Sequence, residues 1–231
     1  MHPSALHWGK RFFDTYTGNL ADGIVIDVGS LDVNGSLKQA CPPGLKYVGV
    51  DFTPGKGVDM VLDDPYRLPF DDRAVDVVVS SSCFEHSEMF WLLFIEILRV
   101  LKESGLFYLN VPSNGPFHQY PVDCWRFYPD SGKALVTWAR RCKVDALLLE
   151  SCVGRQQGAG KHGIWNDFVA VFLKNRAFAY QYPRRMLDTA ADFTNGLRDA
   201  TAGYLNPAKL PEDQARLRAL ENIANGPHRA E

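Results

Sequence analysis

None of the five cysteines, Cys41, Cys83, Cys124, Cys142 and Cys152, stands in a Cys-x-x-Cys spacing, so no zinc cluster is written in the chain. An odd number of thiols scattered through apolar sequence suits a reducing compartment, and the cytoplasm is the expected location. No apolar run reaches membrane length, and residues 1–16 mix Trp8, Phe12 and Phe13 with Lys10, Arg11 and Asp14 instead of forming a charged-then-apolar leader. A soluble, unexported protein without a membrane partner is expected. Charge of one sign is missing too: 25 basic against 27 acidic residues leave a formal net charge of −2, which implies no nucleic-acid footprint and no basic membrane patch. Glycine is absent where a dinucleotide site would need it. After Gly29 the next two positions of a Gly-x-Gly-x-x-Gly turn hold Leu31 and Asn34, so a pyrophosphate would fit badly against the backbone.

What is present is enough apolar sequence for one full core. With 231 residues, 46% hydrophobic and 12% aromatic, a single domain with appendages is expected. Its centre is the stretch at 23–36, GIVIDVGSLDVNGS. Ile24, Val25 and Ile26 read as a buried strand closed by Asp27 just before Gly29, which puts a sharp turn where open α/β sheets bind ligands. A second run, Tyr47-Val48-Gly49-Val50, ends in Asp51, at the spacing that lets a carboxylate take both hydroxyls of a ribose. Asp27 would repel phosphate but could hold an ammonium, directly or through water. S-Adenosylmethionine carries such an ammonium and no phosphate.

In chain order, Trp8, Phe12, Phe13 and Tyr16 fall at helical spacing, so residues 1–20 read as a packing helix; a flap over the cofactor is the other use of such a stripe. Residues 33–40 read as a short helix, cut by Cys41-Pro42-Pro43-Gly44, and 60–62 and 74–79 as the third and fourth strands. The clearest helix sets Met89, Leu93, Ile97, Val100 and Leu101 against Glu88, Glu96, Arg99 and Glu103, with Gly105 as its stop. Residues 106–111 give a fifth strand, 131–141 a helix, and 146–153 and 164–173 two antiparallel strands joined by the glycine-rich turn at 154–163. The core domain is expected at 21–176. Residues 177–231 read as a helical tail, with Leu217, Leu220 and Ile223 on one face that packs on its own domain or joins a homodimer.

Residues 117–130, FHQYPVDCWRFYPD, hold five aromatic rings and follow neither period. Within the loop at 112–130 they read either as a plug on the sheet edge or as a lid over a substrate.

These residues resemble the class I S-adenosylmethionine-dependent methyltransferases over about residues 23–173. The resemblance is carried by Asp27-Val28-Gly29, by Asp51, by Asp64-Pro65-Tyr66-Arg67-Leu68-Pro69-Phe70 followed by Asp76-Val77-Val78-Val79, and by Glu85-His86 after the fourth strand. The turn departs from the family's Gly-x-Gly-x-Gly by lacking its middle glycine. The resemblance implies an α/β fold with a Rossmann-like, mostly parallel seven-stranded sheet, one reversed strand and helices on both faces. It implies S-adenosylmethionine as cofactor, with Asp64 on the adenine amino group. The expected cofactor site is Asp27, Gly29, Ser30, Asp51, Phe52, Asp64, Glu85 and His86, with Phe52 or a neighbour on the purine face. The loop FHQYPVDCWRFYPD is similar to that of bacterial methyltransferases associated with polysaccharide and glycoside assembly.

A sulfonium is already a strong methyl donor, so such a protein must align an acceptor and remove one proton. Tyr120, Trp125, Arg126 and Tyr128 mix flat apolar faces with hydrogen-bonding groups, the combination that suits a sugar ring, and are the expected substrate contacts. Six histidines are present. His2, His7 and His228 lie near the termini, His86 shapes the cofactor pocket and His162 sits in a hairpin turn, which leaves His118 as the catalytic base with Asp123 to orient it. A divalent cation held by His118 and Asp123 is the alternative. The expected activity is O-methylation of a sugar or glycoside hydroxyl, on a small-molecule or glycan acceptor. A phenolic or polyketide acceptor, a nicotinamide-dependent oxidoreductase and a non-catalytic cofactor-binding subunit are the competing readings.

Overall fold

Five strands run parallel in one half of a single sheet: β1 (Ile24–Val28), β2 (Lys46–Asp51), β3 (Met60–Val61), β4 (Val75–Ser81) and β5 (Leu101–Pro112). The sheet continues through β6 (Leu147–Gly154), β7 (Asp167–Leu173) and β8 (Phe193–Arg198), in the order β3-β2-β1-β4-β5-β7-β6-β8. β7 runs antiparallel to β5 and β6, and β8 antiparallel to β6. This computed structural model describes residues 3–157, 164–199 and 201–225.

Strand periodicity divides the core into two layers. Ile26, Val78, Phe107 and Phe172 face α2 (Phe90–Val100) and α3 (Ser131–Arg141), while Val25, Val77, Val79, Tyr108 and Val171 face α1 (Pro3–Tyr16). Trp8, Phe12, Phe13 and Tyr16 are all buried on that second face, and removing each ring from water contributes about 2 kcal/mol or more. The Phe12 ring lies 4.8 Å from that of Tyr108, and the Tyr16 hydroxyl donates to Glu150 Oε1 at 2.5 Å. The aromatic stripe is therefore packing.

Four elements differ from the sequence reading. The helix expected at 33–40 is reduced to a single 3-10 turn, Leu37–Gln39, because Asp32 Oδ1 captures the Gly35 amide at 2.6 Å and Gly35 takes φ +122°, which no right-handed helix can include. α2 stops at Val100, not at Gly105, because Leu101 is already extended and opens β5. Gly105 lies inside that strand, where a Cβ would come within 2.9 Å of Lys102 O and 3.1 Å of Asp76 O, next to a register shift between β4 and β5. Glu96, expected on the solvent side of α2, is buried. Its Oε1 accepts the Leu68 amide at 2.8 Å and pairs with Arg99 at 2.7 Å.

The fourth difference is the tail. It is not wholly helical: it supplies β8, so the sheet has eight strands among the described residues, and of the described residues there only α4 (Glu212–Ala224) is an α-helix. Leu217, Leu220 and Ile223 are exposed on α4. Among the described residues no helix is long and apolar enough to cross a membrane. His2, His162, His228 and most of the glycine-rich turn at 154–163 lie outside the described residues.

Candidate active site

The carboxyl ends of β1, β2 and β4 bring the first group of candidate residues to one edge. Asp27 pairs with Gly49 in the β1–β2 ladder, and Asp51 ends β2 one position beyond Val50, the partner of Val28. Asp27 is buried, its Oδ2 accepting from the Tyr47 hydroxyl at 2.6 Å. Burial pushes its pKa up to about 7, against the pull of that hydrogen bond. Asp51 is fixed by backbone: Oδ2 accepts from Leu31 N at 3.2 Å and Oδ1 from Thr53 N at 2.9 Å, which leaves a lone pair on each oxygen for a diol.

Gly29 turns at φ +83°, and a Cβ there would lie 2.5 Å from the Cβ of Cys83, so this turn tolerates glycine alone. Cys83 is the residue that links the edge: burial pushes its thiol up, and the charges of Glu85, Asp51 and Asp27 all act on it in the same direction. Ser30 is buried with its Oγ against Gly49. Phe52 is 49% exposed and offers a free ring face at the β2 tip. Asp64 is exposed and caps a local turn by accepting the Tyr66 amide at 2.8 Å. The segment behind it is held by Arg99, which donates to Leu68 O at 3.0 Å and Phe70 O at 2.9 Å.

The second group is assembled by the aromatic loop, which is stitched onto the segment after β4. Cys124 N and Trp125 N donate to Glu85 O at 2.7 and 3.2 Å, Trp125 Nε1 donates to Ser87 O at 3.0 Å, and His86 Nδ1 meets Val122 O. Glu85 is sealed beneath. Its carboxyl is fully buried, neither oxygen is hydrogen-bonded to another residue among those described, and burial raises its pKa to about 8. His86, half-buried, has its pKa lowered by the same desolvation. Its ring stands edge-on to His118 at 4.9 Å, and His118 in turn to Trp165 at 5.0 Å.

Asp123 forms a bidentate pair with Arg126, at 2.6 and 2.9 Å, accepts the His118 amide at 2.7 Å, and stands 3.2 Å from His118 Nδ1. The Arg126 guanidinium holds the Asp123 carboxyl down at about 2. Arg126 also donates to Pro116 O at 2.7 Å, so the pair closes the loop on itself.

A groove of about 300 Å³ opens beside this pair, lined by Gly115, Phe117, Asp123, Cys124, Trp125 and Arg126. Of the four expected acceptor contacts, Trp125 and Arg126 line it. Tyr120 is exposed with its ring 6.2 Å from His86, and Tyr128 is exposed outside the groove lining. Phe127 is core. Sequence reasoning passed over Phe117, although its place in an unpatterned aromatic loop was a signal, and over Tyr47 and Arg99, whose partners lie 20 to 31 residues away.

Comparison with known proteins bears on the fold that carries these residues. Residues 26–109, which hold most of β1, β2 to β4, the Glu85-His86 pair, α2 and most of β5, match a family model described as a methyltransferase domain. A Mycobacterium leprae (strain Br4923) protein described as an uncharacterized methyltransferase is 32% identical over 114 residues, covering 44% of this chain. That match spans 42% of the relative's own length. The Haloferax volcanii protein solved in complex with the Trm112 methyltransferase activator superimposes with a TM-score of 0.54 at 16% identity, over 76% of this chain and 91% of that one. A Burkholderia thailandensis 1,6-didemethyltoxoflavin-N1-methyltransferase, solved with 1,6-didemethyltoxoflavin and S-adenosylhomocysteine, gives 0.54 at 14% identity, over 74% and 78%. Residues 26–109 thus match a methyltransferase domain, and the sheet that carries them has the Rossmann-like methyltransferase fold.

Proposed function

We propose that this protein is an S-adenosylmethionine-dependent O-methyltransferase acting on a hydroxyl of a sugar or glycoside. The observation that carries the reading is the sharing of one sheet edge by two groups: the Asp27–Gly29–Asp51 row, and the Glu85–His86–His118 cluster under the aromatic loop. The cofactor's residues fit by their chemistry. Asp51, immobilised by two amides, presents lone pairs to a ribose diol; Asp27 presents a buried carboxyl to an ammonium; and Phe52 presents a ring to a purine. When bound, the cofactor supplies a methyl group on a sulfonium.

The chain's part is to hold an acceptor oxygen in line and govern its proton. Phe117 and Trp125 offer CH-binding faces to a pyranose ring, while Asp123 and Arg126 meet its hydroxyl rim. His118, whose Nδ1 stands 3.2 Å from the groove-lining Asp123, supplies a ring nitrogen beside the groove to act on the hydroxyl. The test is to incubate the purified protein with S-adenosylmethionine and separate panels of sugars, glycosides, catechols and flavonoids, and to assay S-adenosylhomocysteine by mass. Turnover on glycosides is expected; turnover on phenols alone moves the acceptor to a flat aromatic, and cofactor binding without turnover on any panel favours a non-catalytic subunit.

A further inference from the structure

We propose that Glu85, His86 and His118 form the binding site of a divalent transition-metal ion beside the acceptor groove. One donor atom from each residue lies within 4.8 Å of the others. Around an ion about 2.1 Å from each ligand such atoms stand about 3–4 Å apart, so the cluster needs only to close by about 1 Å. Three further observations point to a ligand. His86 directs Nδ1 to Val122 O, the arrangement in which a metal-binding histidine anchors one ring nitrogen on a carbonyl and turns the other inward. That other nitrogen, Nε2, stands 3.7 Å from Glu85 Oε1, beyond hydrogen-bonding distance. Glu85 is fully buried with neither carboxylate oxygen bonded to another residue among those described, an arrangement that an ion would satisfy.

Asp123, the carboxylate that sequence order pairs with His118, is committed to Arg126 through both oxygens; the two charges cancel and leave Glu85 as the anionic ligand. Two imidazoles and one carboxylate select zinc, manganese or iron over magnesium, which prefers oxygen donors.

The site itself does not depend on the methyltransferase reading, but its role does. A Lewis acid there would bind and acidify the acceptor hydroxyl. The O–H bond breaks and its proton passes to water; the freed oxygen pair forms the new C–O bond while the C–S bond of the sulfonium breaks, its pair staying on sulfur. His118 then acts as a ligand of the ion.

The experiment is calorimetric and spectroscopic, on the full chain stripped with chelator. Titration with Co²⁺ should show one ion per chain and a d–d absorption band that Zn²⁺ abolishes, whereas Mg²⁺ should give no heat. His118→Ala and Glu85→Gln should each weaken Co²⁺ binding about 10–100-fold, with circular dichroism showing that they fold. Unchanged Co²⁺ affinity in either folded variant, or no Co²⁺ binding by the native chain, overturns the proposal. S-Adenosylhomocysteine titration of the same samples separates the two readings. Nucleoside binding without metal binding sinks this inference alone, and metal binding without nucleoside binding leaves the site standing while removing its role.

Discussion

The Tyr47 hydroxyl donates a 2.6 Å hydrogen bond to Asp27 Oδ2 from the neighbouring strand, and both groups are taken out of water by the sheet around them. Desolvation outweighs that bond and lifts the Asp27 carboxyl to about 7, above its unfolded value of 3.8. The folded chain therefore binds a proton here more tightly than the unfolded chain, so this residue's contribution to stability is fully present below the unfolded value and is lost as pH rises through the folded one. An ammonium docked on the carboxylate needs it ionised. Affinity for S-adenosylhomocysteine should rise about 10-fold between about pH 6 and about pH 8, and Asp27→Asn should be weak and flat across that range. Calorimetry at three pH values checks it; a flat native profile would separate Asp27 from the ammonium.

Asp51 accepts the Leu31 and Thr53 amides, and in the proposed function its remaining lone pairs face the cofactor. Asp51→Asn keeps the shape but exchanges an acceptor for a donor. It should lower S-adenosylhomocysteine affinity by about 10-fold or more, the worth of hydrogen bonds to a charged group. Asp51→Ala should in addition lower Tm, because two amides lose their acceptor. Equal affinity in native and Asn proteins would remove Asp51 from the site.

Arg99 ties α2 to the Leu68-Pro69-Phe70 segment through two carbonyls and to Glu96, itself buried against the Leu68 amide. Arg99→Met leaves those groups without their donor and should cost about 2 kcal/mol or more in denaturant unfolding. A cost under about 0.5 kcal/mol would show that the segment is held by packing alone.

The aromatic loop contains rings with opposite duties. Phe127 is buried against Phe90 at 5.0 Å, so Phe127→Ala should destabilise the protein by about 3–5 kcal/mol. Phe117 is 72% exposed and lines the groove; Phe117→Ala should leave stability within about 0.5 kcal/mol and raise the acceptor KM. If Phe117→Ala left acceptor kinetics untouched, the groove would not be the acceptor site.

The places of β1, β2, β4 and the second half of β5, and α3 to its end residues, could be read from apolar runs and their closing turns, because buried parallel strands and an amphipathic helix leave strong local patterns. β8 could not. Its Asn195-Gly196 reads as a turn, and Asn195 does adopt φ +49°, yet Gly196 pairs with Leu205 while flanking residues join β6. The 33–40 helix was overruled by Asx chemistry at Asp32, and the polar-face position of Glu96 by a partner 28 residues away. In the site, Asp27, Asp51 and Glu85 were legible because each closes or follows a strand. The tie between Asp123 and Arg126, and the meeting of His118 with Glu85, depend on the path of an irregular loop that no period encodes.

The most direct measurement uses S-adenosylmethionine carrying a trideuterated methyl group. Incubated with the native chain and a glycoside pool, the label should appear on a sugar oxygen in amounts equal to the S-adenosylhomocysteine formed, and Asp51→Asn should lose both signals together. S-Adenosylhomocysteine bound tightly while no acceptor of any class takes up label would contradict the account.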